Sequence, residues 1–232
     1  MGLGSTSATR SAERGRMVEQ QLRARGIADE RVLAAFRAVP REAFVDEGQA
    51  GSAYADAPLP IGYGQTISQP YVVALMAEAL DLRPDALVLE VGAGSGYAAA
   101  ILSLLARRVV AVERLPELAD GARERLAGLG CANVEVHLGD GTRGWSAEAP
   151  FDAILVSAAG ETVPPALLGQ LSPGGRLVMP VGGHGHQDLV RLVKTDAGTM
   201  SEERLWGVVF VPLVASVDGA PRPAPADRSR RP

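Results

Sequence analysis

From Ala86 onward the chain alternates short apolar runs with helical stretches. The runs are ALVLEV, RVVAVE, NVEVHL, FDAILVSA and GRLVMPV, and Leu115 to Leu129 is one of the helical stretches between them. Apolar runs of this length read as buried strands, and their alternation with helices predicts a doubly wound α/β fold built on a parallel sheet with crossover connections. Asp188 to Lys194 and Arg204 to Val211 are two further strand-like runs with no helix-length segment between them, which predicts an antiparallel C-terminal edge. The sheet is therefore expected to be mostly parallel. Upstream, Met17 to Arg25 and Asp29 to Val39 have helical spacing, with Asp29 as N-cap and Pro40 as stop. Pro70 to Leu82 predicts a longer helix with a broad apolar face (Val72, Val73, Leu75, Met76, Ala79, Leu80), broken at Arg83-Pro84.

The ends differ from this middle. Residues 1–16 are small, polar and Arg-containing, and residues 218–232 are rich in Pro, Ala and Arg without apolar periodicity; both are expected to be disordered tails. Residues 17–217 form one expected domain, with residues 17–84 as its helical N-terminal part. A chain of 232 residues with 47% hydrophobic content can bury such a core. The net charge of -4 and pI near 5.5 argue against a nucleic-acid partner, which would require a basic face. No apolar run is long enough for a membrane span, and Cys131, the single cysteine, excludes an intrachain disulfide. A cytoplasmic monomer that binds neither nucleic acid nor membrane is the expectation.

Gly92, Gly94 and Gly96 follow the strand ending at Val91 and precede a helix starting near Tyr97. This is a Rossmann-like strand-to-helix turn, where bare backbone lets a ligand approach and a helix N-terminus favours an anion. Glu113 ends the next strand, about 20 residues on, where a carboxylate can accept from both ribose hydroxyls. The spacing G-x-G-x-G differs from the G-x-G-x-x-G of dinucleotide sites and points to S-adenosylmethionine. Asp140, in Gly139-Asp140-Gly141 after the third strand, is placed to accept from an adenine amino group, and an ordinary Gly-Asp turn fits the same pattern. His184 and His186 lack carboxylate or thiolate partners in sequence, so no metal is expected. Trp145 and Trp206 are expected to be buried at sheet ends.

One stretch is more specific than the glycine turn. LPIGYGQTISQPY, Leu59 to Tyr71, is a glycine-rich polar loop that ends at a helix-starting Pro70 and reads as an active-site wall. Together with AVPREAFVDE from Ala38, VLEVGAGSGY from Val88, APFDAILVSAA from Ala149, LSPGGRLVMPVG from Leu171 and FVPL from Phe210, it resembles the protein-L-isoaspartate O-methyltransferases, a family of class I S-adenosylmethionine-dependent methyltransferases. The resemblance runs from about Met17 to Leu213. It implies methyl transfer to the free α-carboxylate of L-isoaspartyl residues in damaged peptides and proteins, with repair through a succinimide. It also implies that Gln65, Thr66, Ile67, Ser68, Gly92, Gly94, Ser95, Gly96, Glu113, Arg114, Gly139, Asp140 and Gly141 contact the cofactor. Ser68 is the implied catalytic residue, and Thr66, Ser68 and Val181 the implied substrate contacts.

Two positions depart from the family pattern: Val214 stands where many relatives carry a threonine, and Val73 lies where some carry a histidine. A related carboxyl methyltransferase dedicated to the aspartate of one peptide is the alternative. A base methyltransferase is disfavoured, because Ser157-Ala158-Ala159-Gly160 follows the fourth strand instead of an Asp/Asn-Pro-Pro-aromatic motif. The acceptor, with a carboxyl pKa of about 3.5, is already an anion at neutral pH. Alignment rather than deprotonation is then the task, with up to about 7 to 11 kcal/mol available from it, and Ser68 is expected to orient the acceptor.

Overall fold

In the computed structural model, which describes residues 3–183 and 185–215, helix α1 (Leu3–Met17) opens the chain. It is followed by α2 (Glu30–Ala38), strands β1 (Leu59–Gly62) and β2 (Gln65–Ile67), α3 (Pro70–Ala79), β3 (Leu87–Val91), α4 (Tyr97–Ser103), β4 (Arg108–Glu113) and α5 (Pro116–Gly128). Then come β5 (Val134–Leu138), β6 (Phe151–Val156), α6 (Pro165–Gly169), β7 (Leu171–Gly183), β8 (His186–Lys194) and β9 (Met200–Val208). Strands β3 to β9 form one sheet in the order β5-β4-β3-β6-β7-β8-β9. Pairings from β5 through β7 are parallel, and β7-β8 and β8-β9 are antiparallel. The mostly parallel sheet with an antiparallel C-terminal edge is therefore observed.

The sheet is buried on both faces because the central strands are apolar apart from Glu90 in β3, Arg108 and Glu113 at the two ends of β4, and Asp152 in β6. Val88, Val109, Ala111, Ala153 and Leu155 face one core cluster, which contains α2 to α5. Their neighbours Leu89, Val91, Val110, Val112, Ile154 and Val156 face a second cluster on the α6 side. This is the period-two alternation of a strand expressed as two cores. From β3 the chain moves outward to β4 and β5, then returns to the other side of β3 as β6. A crevice opens at that reversal, beyond the C-terminal ends of the strands, and it is where such sheets bind ligands.

The N-terminal helices cover the first cluster. Asp29 caps α2, its side chain accepting from the Arg31 backbone N–H at 2.7 Å. The Glu78 carboxylate of α3 accepts from the backbone N–H groups of Ala28 and Asp29, each at 2.7 Å, which ties the two helices together. Helix α3 ends at Ala79, short of the expected Leu82, because Asp81 turns left-handed at φ +46°.

The start of the chain corrects the expectation of a disordered tail over residues 1–16, because Leu3–Met17 is helical. Its sequence lacks an apolar stripe, and the helix is instead fastened from its C-terminal end. Met17, Val18 and Leu22 are buried, and Arg14 donates to the Tyr54 hydroxyl at 3.3 Å. The expected helix from Met17 to Arg25 is the continuation of α1 as a π-turn and a 3₁₀ turn, ended by Gly26 at φ +101°. The expected tail at 218–232, and His184, lie outside the described residues.

Asp29→Ala removes the side-chain acceptor of the Arg31 N–H in the first turn of α2, so it is expected to lower unfolding free energy by about 0.5–2 kcal/mol in urea titrations. No change in the midpoint would mean that tertiary packing alone holds this helix end.

Candidate active site

The crevice at the sheet reversal is a cleft of about 330 Å³ lined by the glycine turn, the β4 terminus and the β1-β2 hairpin. The turn after β3 takes left-handed backbone at Gly92, Gly94 and Gly96, with φ of +85°, +53° and +91°, a region that L side chains rarely adopt. It is clamped to β4. The backbone N–H groups of Gly92 and Ala93 donate to the Val112 carbonyl at 2.8 and 3.2 Å, and that of Gly94 donates to Glu113 Oε2 at 2.9 Å. Glu113 Oε1 accepts from the N–H groups of Arg114 and Leu115 at 2.8 and 3.0 Å.

The run around Gln65 to Ser68, expected as a loop, folds as the hairpin β1-β2 with Leu59 paired to Ile67 and Pro60 to Thr66. Three successive positive φ values, at Gly62, Tyr63 and Gly64, make its turn. The hairpin packs on the glycine turn, because a Cβ on Gly94 would lie 3.3 Å from Ile61 Cδ1. The polar wall and the cofactor turn are thus one packed unit. Ser68 is half-buried and Thr66 exposed, and both face the cleft wall.

The cleft brings together Gln65, Thr66, Ile67, Ser68, Gly92, Gly94, Ser95, Glu113, Arg114 and Gly141. A Cβ on Gly141 would lie 2.4 Å from Val91 Cγ1, so the chain passes β3 too closely for any side chain. Gly139 and Asp140 instead line an adjoining cavity that shares Arg114 with the cleft. Asp140 accepts from the Thr142 N–H and hydroxyl at 2.9 and 2.7 Å, which makes it the cap of a 3₁₀ turn. Gly96 does not line the cleft; a Cβ there would meet Ala122 and Leu126 of α5 at 3.3 Å, so its role is helix packing. Val181 is also apart, paired with Asp188 in β7-β8 and packed against the second core cluster. Val73 and Val214, the two departures, do line the cleft.

Glu90 was missed by the sequence analysis. It lies in β3, is fully buried, lines the cleft, and has no hydrogen-bond partner on either carboxylate oxygen. Burial pushes its carboxyl well above the usual carboxylate range, and the charge of Glu113 adds to the shift. An orphaned buried carboxylate of this kind fits a positively charged ligand group, which would restore its ionised form. The available signal was an acidic residue inside an otherwise apolar buried strand.

The match to known proteins agrees with this geometry. The family model for protein-L-isoaspartate(D-aspartate) O-methyltransferase (PCMT) matches residues 12–218. The chain belongs to that family. It is 57% identical over 202 residues to the protein-L-isoaspartate O-methyltransferase of Methanoculleus marisnigri, covering 87% of this chain and 91% of that one. It is 58% identical over 211 residues to the one from Methylorubrum extorquens, covering 91% and 92%. A solved protein-L-isoaspartate O-methyltransferase superposes with a TM-score of 0.77 at 29% identity, covering 86% of this chain and 65% of that chain. A putative protein-L-isoaspartate O-methyltransferase from Plasmodium falciparum, solved with S-adenosyl-L-homocysteine, gives a TM-score of 0.74 at 27% identity, covering 85% and 96%.

Two other features of this family member lie away from the cleft. Glu135, His137 and Glu148 bring ligand-type atoms within 4.8 Å of one another, but Arg108 already pairs with both carboxylates at 2.7 and 2.6 Å. Trp145 stacks on His137 at 4.2 Å, whereas Trp206, expected to be buried, is 54% exposed. Trp206 lies in β9, the edge strand of the sheet, where its ring touches Tyr71 but is otherwise left largely open. Among the described residues no helix is long and apolar enough to cross a membrane.

The Glu90 assignment has a thermodynamic consequence. Its folded-state pKa is raised, so the stability it contributes is complete below the ordinary carboxyl value of about 4.3 and is lost as pH rises toward the folded value. Each pH unit within that window removes about 1.4 kcal/mol. Glu90→Gln is neutral throughout. In thermal unfolding without ligand, the variant is expected to match the wild type at about pH 4 and exceed it at about pH 8. Parallel Tm curves across that range would show that Glu90 is already charged in the free protein.

Proposed function

We propose that Thr66 and Ser68 hold and orient the free α-carboxylate of an L-isoaspartyl residue during the carboxyl methylation that this family carries out. Glu90, Glu113 and the turn at Gly92 and Gly94 are the residues that would hold S-adenosylmethionine. The observation that carries this reading is the position of Thr66 and Ser68, which line both the cleft of the glycine turn and a second cavity outside it. An acceptor reaching in from outside meets the hydroxyls before it meets the buried carboxylates.

S-adenosylmethionine supplies a methyl group made electrophilic by its sulfonium. The protein side of the reaction is alignment and electrostatics. The acceptor carboxylate, with a pKa of about 3.5, needs no base. The two cleft carboxylates could not serve well as one: Glu90 is buried behind the turn, and Glu113 already accepts three backbone N–H bonds. Neutral hydroxyl donors suit an anion whose charge falls in the transition state, because stronger donors would stabilise the ground state more. Glu90 and Glu113 supply negative charge on the side of the cation. The methyl ester then closes to a succinimide as the following amide nitrogen attacks its carbonyl and methanol leaves. Hydrolysis of the ring returns part of the product to normal aspartate.

The direct test is labelled methyl transfer to two peptides that differ only in carrying L-isoaspartate or L-aspartate. Label is expected on the first alone, and equal label on both, or on neither, overturns the assignment. Ser68→Ala is expected to lower kcat by about 10- to 100-fold, the loss of one hydrogen bond to a charged group, with a flat pH profile near neutrality. A titration near neutrality in the wild type that vanishes in the variant would make Ser68 part of a proton relay instead.

A further inference from the structure

The second cavity, of about 440 Å³, lies directly outside the hydroxyl pair. Its inner wall includes Thr66, Ser68 and Ser157, all shared with the cleft, and its outer wall is the end of β9 and the segment that follows it, Trp206 to Val211. Apart from His186, no residue lining it carries an ionisable side chain. Its lip holds two of the most exposed large apolar residues described, Trp206 at 54% and Val209 at 74%. Neither is explained by core packing.

Trp206 is nonetheless held in place. Its ring meets Tyr71 edge-on, with centroids 6.2 Å apart at 76°. Arg25 lies 3.5 Å above the Tyr71 ring and is itself paired with Asp56 at 2.8 Å. An exposed aromatic fixed by a second aromatic and a tethered cation is a prepared platform. The backbone beside it is also open, since β9 is the edge strand and, among the described residues, its outer edge has no neighbour in the sheet. The register skips Leu205, with Leu189 opposite Trp206 and Val190 opposite Arg204, and such a bulge bends a strand and re-aims the side chains after it.

We propose that this groove seats the residues flanking the isoaspartyl unit, extended along the free edge near Gly207 to Val209, with an apolar or aromatic flanking side chain on Trp206 and Val209. The inference rests on the isoaspartyl methylation reading. The occupant follows from continuity, because the α-carboxylate branches from a main-chain carbon. When that carboxylate sits at Ser68, the next residue along an extended chain lies about 3.3 Å further on, which is inside the groove. Unpaired strand edges bind extended peptides through the main chain, while pockets beside them select side chains.

The test compares two isoaspartyl peptides identical except for phenylalanine or glycine at the positions on either side of the isoaspartate. The wild type is expected to show the lower KM for the phenylalanine peptide. Trp206→Ala should raise that KM about tenfold while changing the glycine peptide's KM by less than about twofold. Its calorimetric affinity for S-adenosylhomocysteine should be unchanged. Val209→Asp, at a more exposed position, should act in the same direction and serves if Trp206→Ala is poorly folded. Equal KM shifts for both peptides, or no shift, overturn the groove assignment. So does a dimer in sedimentation that Trp206→Ala dissociates, since the edge would then belong to a second copy. Wild-type enzyme that methylates neither peptide overturns the methylation reading itself.

Discussion

The attachment of the β3 exit turn to the end of β4 is the constraint on which the site depends. Three consecutive backbone N–H groups, from Gly92 to Gly94, point at two neighbouring acceptors, the Val112 carbonyl and the Glu113 carboxylate. That convergence requires left-handed backbone at Gly92 and Gly94. It also leaves Gly94 open on the side where Ile61 of the hairpin packs. The wall that carries Thr66 and Ser68 is thereby located relative to the cofactor turn through one short chain of contacts. In a reaction governed by alignment, such rigidity matters more than any single proton acceptor.

Charge divides the cleft into two sides. The strand side holds Glu90, buried and without a hydrogen-bond partner, and Glu113, which accepts three backbone N–H bonds. The hairpin side holds hydroxyls, an amide and no formal charge. On the proposed reading, the sulfonium would meet the carboxylate side and the acceptor anion the uncharged hydroxyl side. Keeping the acceptor side uncharged avoids over-stabilising an anion that the reaction consumes. Beyond the hydroxyls the cavity lining becomes apolar at Trp206 and Val209.

Much of this was legible before any coordinates. Short apolar runs and their helical spacers defined β3 to β6 and β8 within about two residues, while β7 and β9 each begin four residues earlier than expected, and the missing crossover after Lys194 correctly predicted the antiparallel edge. The glycine spacing and the GQTIS run located the two halves of the site. Helix α1 was not legible, because it carries no apolar stripe and is secured by distant groups such as Tyr54. Gly96 and Asp140 each carry a structural task that the local pattern did not announce: one packs α4 against α5 and the other caps a turn.

The sequence by itself determined the order of the strands from β3 to β9, the glycine turn after β3 and the presence of hydroxyls ahead of α3, because local sterics and hydrophobic periodicity act over a few residues. Only the tertiary structure decided that Glu90 faces a cleft without a partner, that Val181 stays apart, and that Trp206 stands at the lip of a groove. Each of those depends on segments far apart in sequence: the return of β6 beside β3, the docking of the hairpin, and the bulged final strand lying beside Tyr71. Burial and proximity are properties of the packed chain. The run LPIGYGQTISQPY could announce an active-site wall, but only packing on Gly94 gave that wall its position.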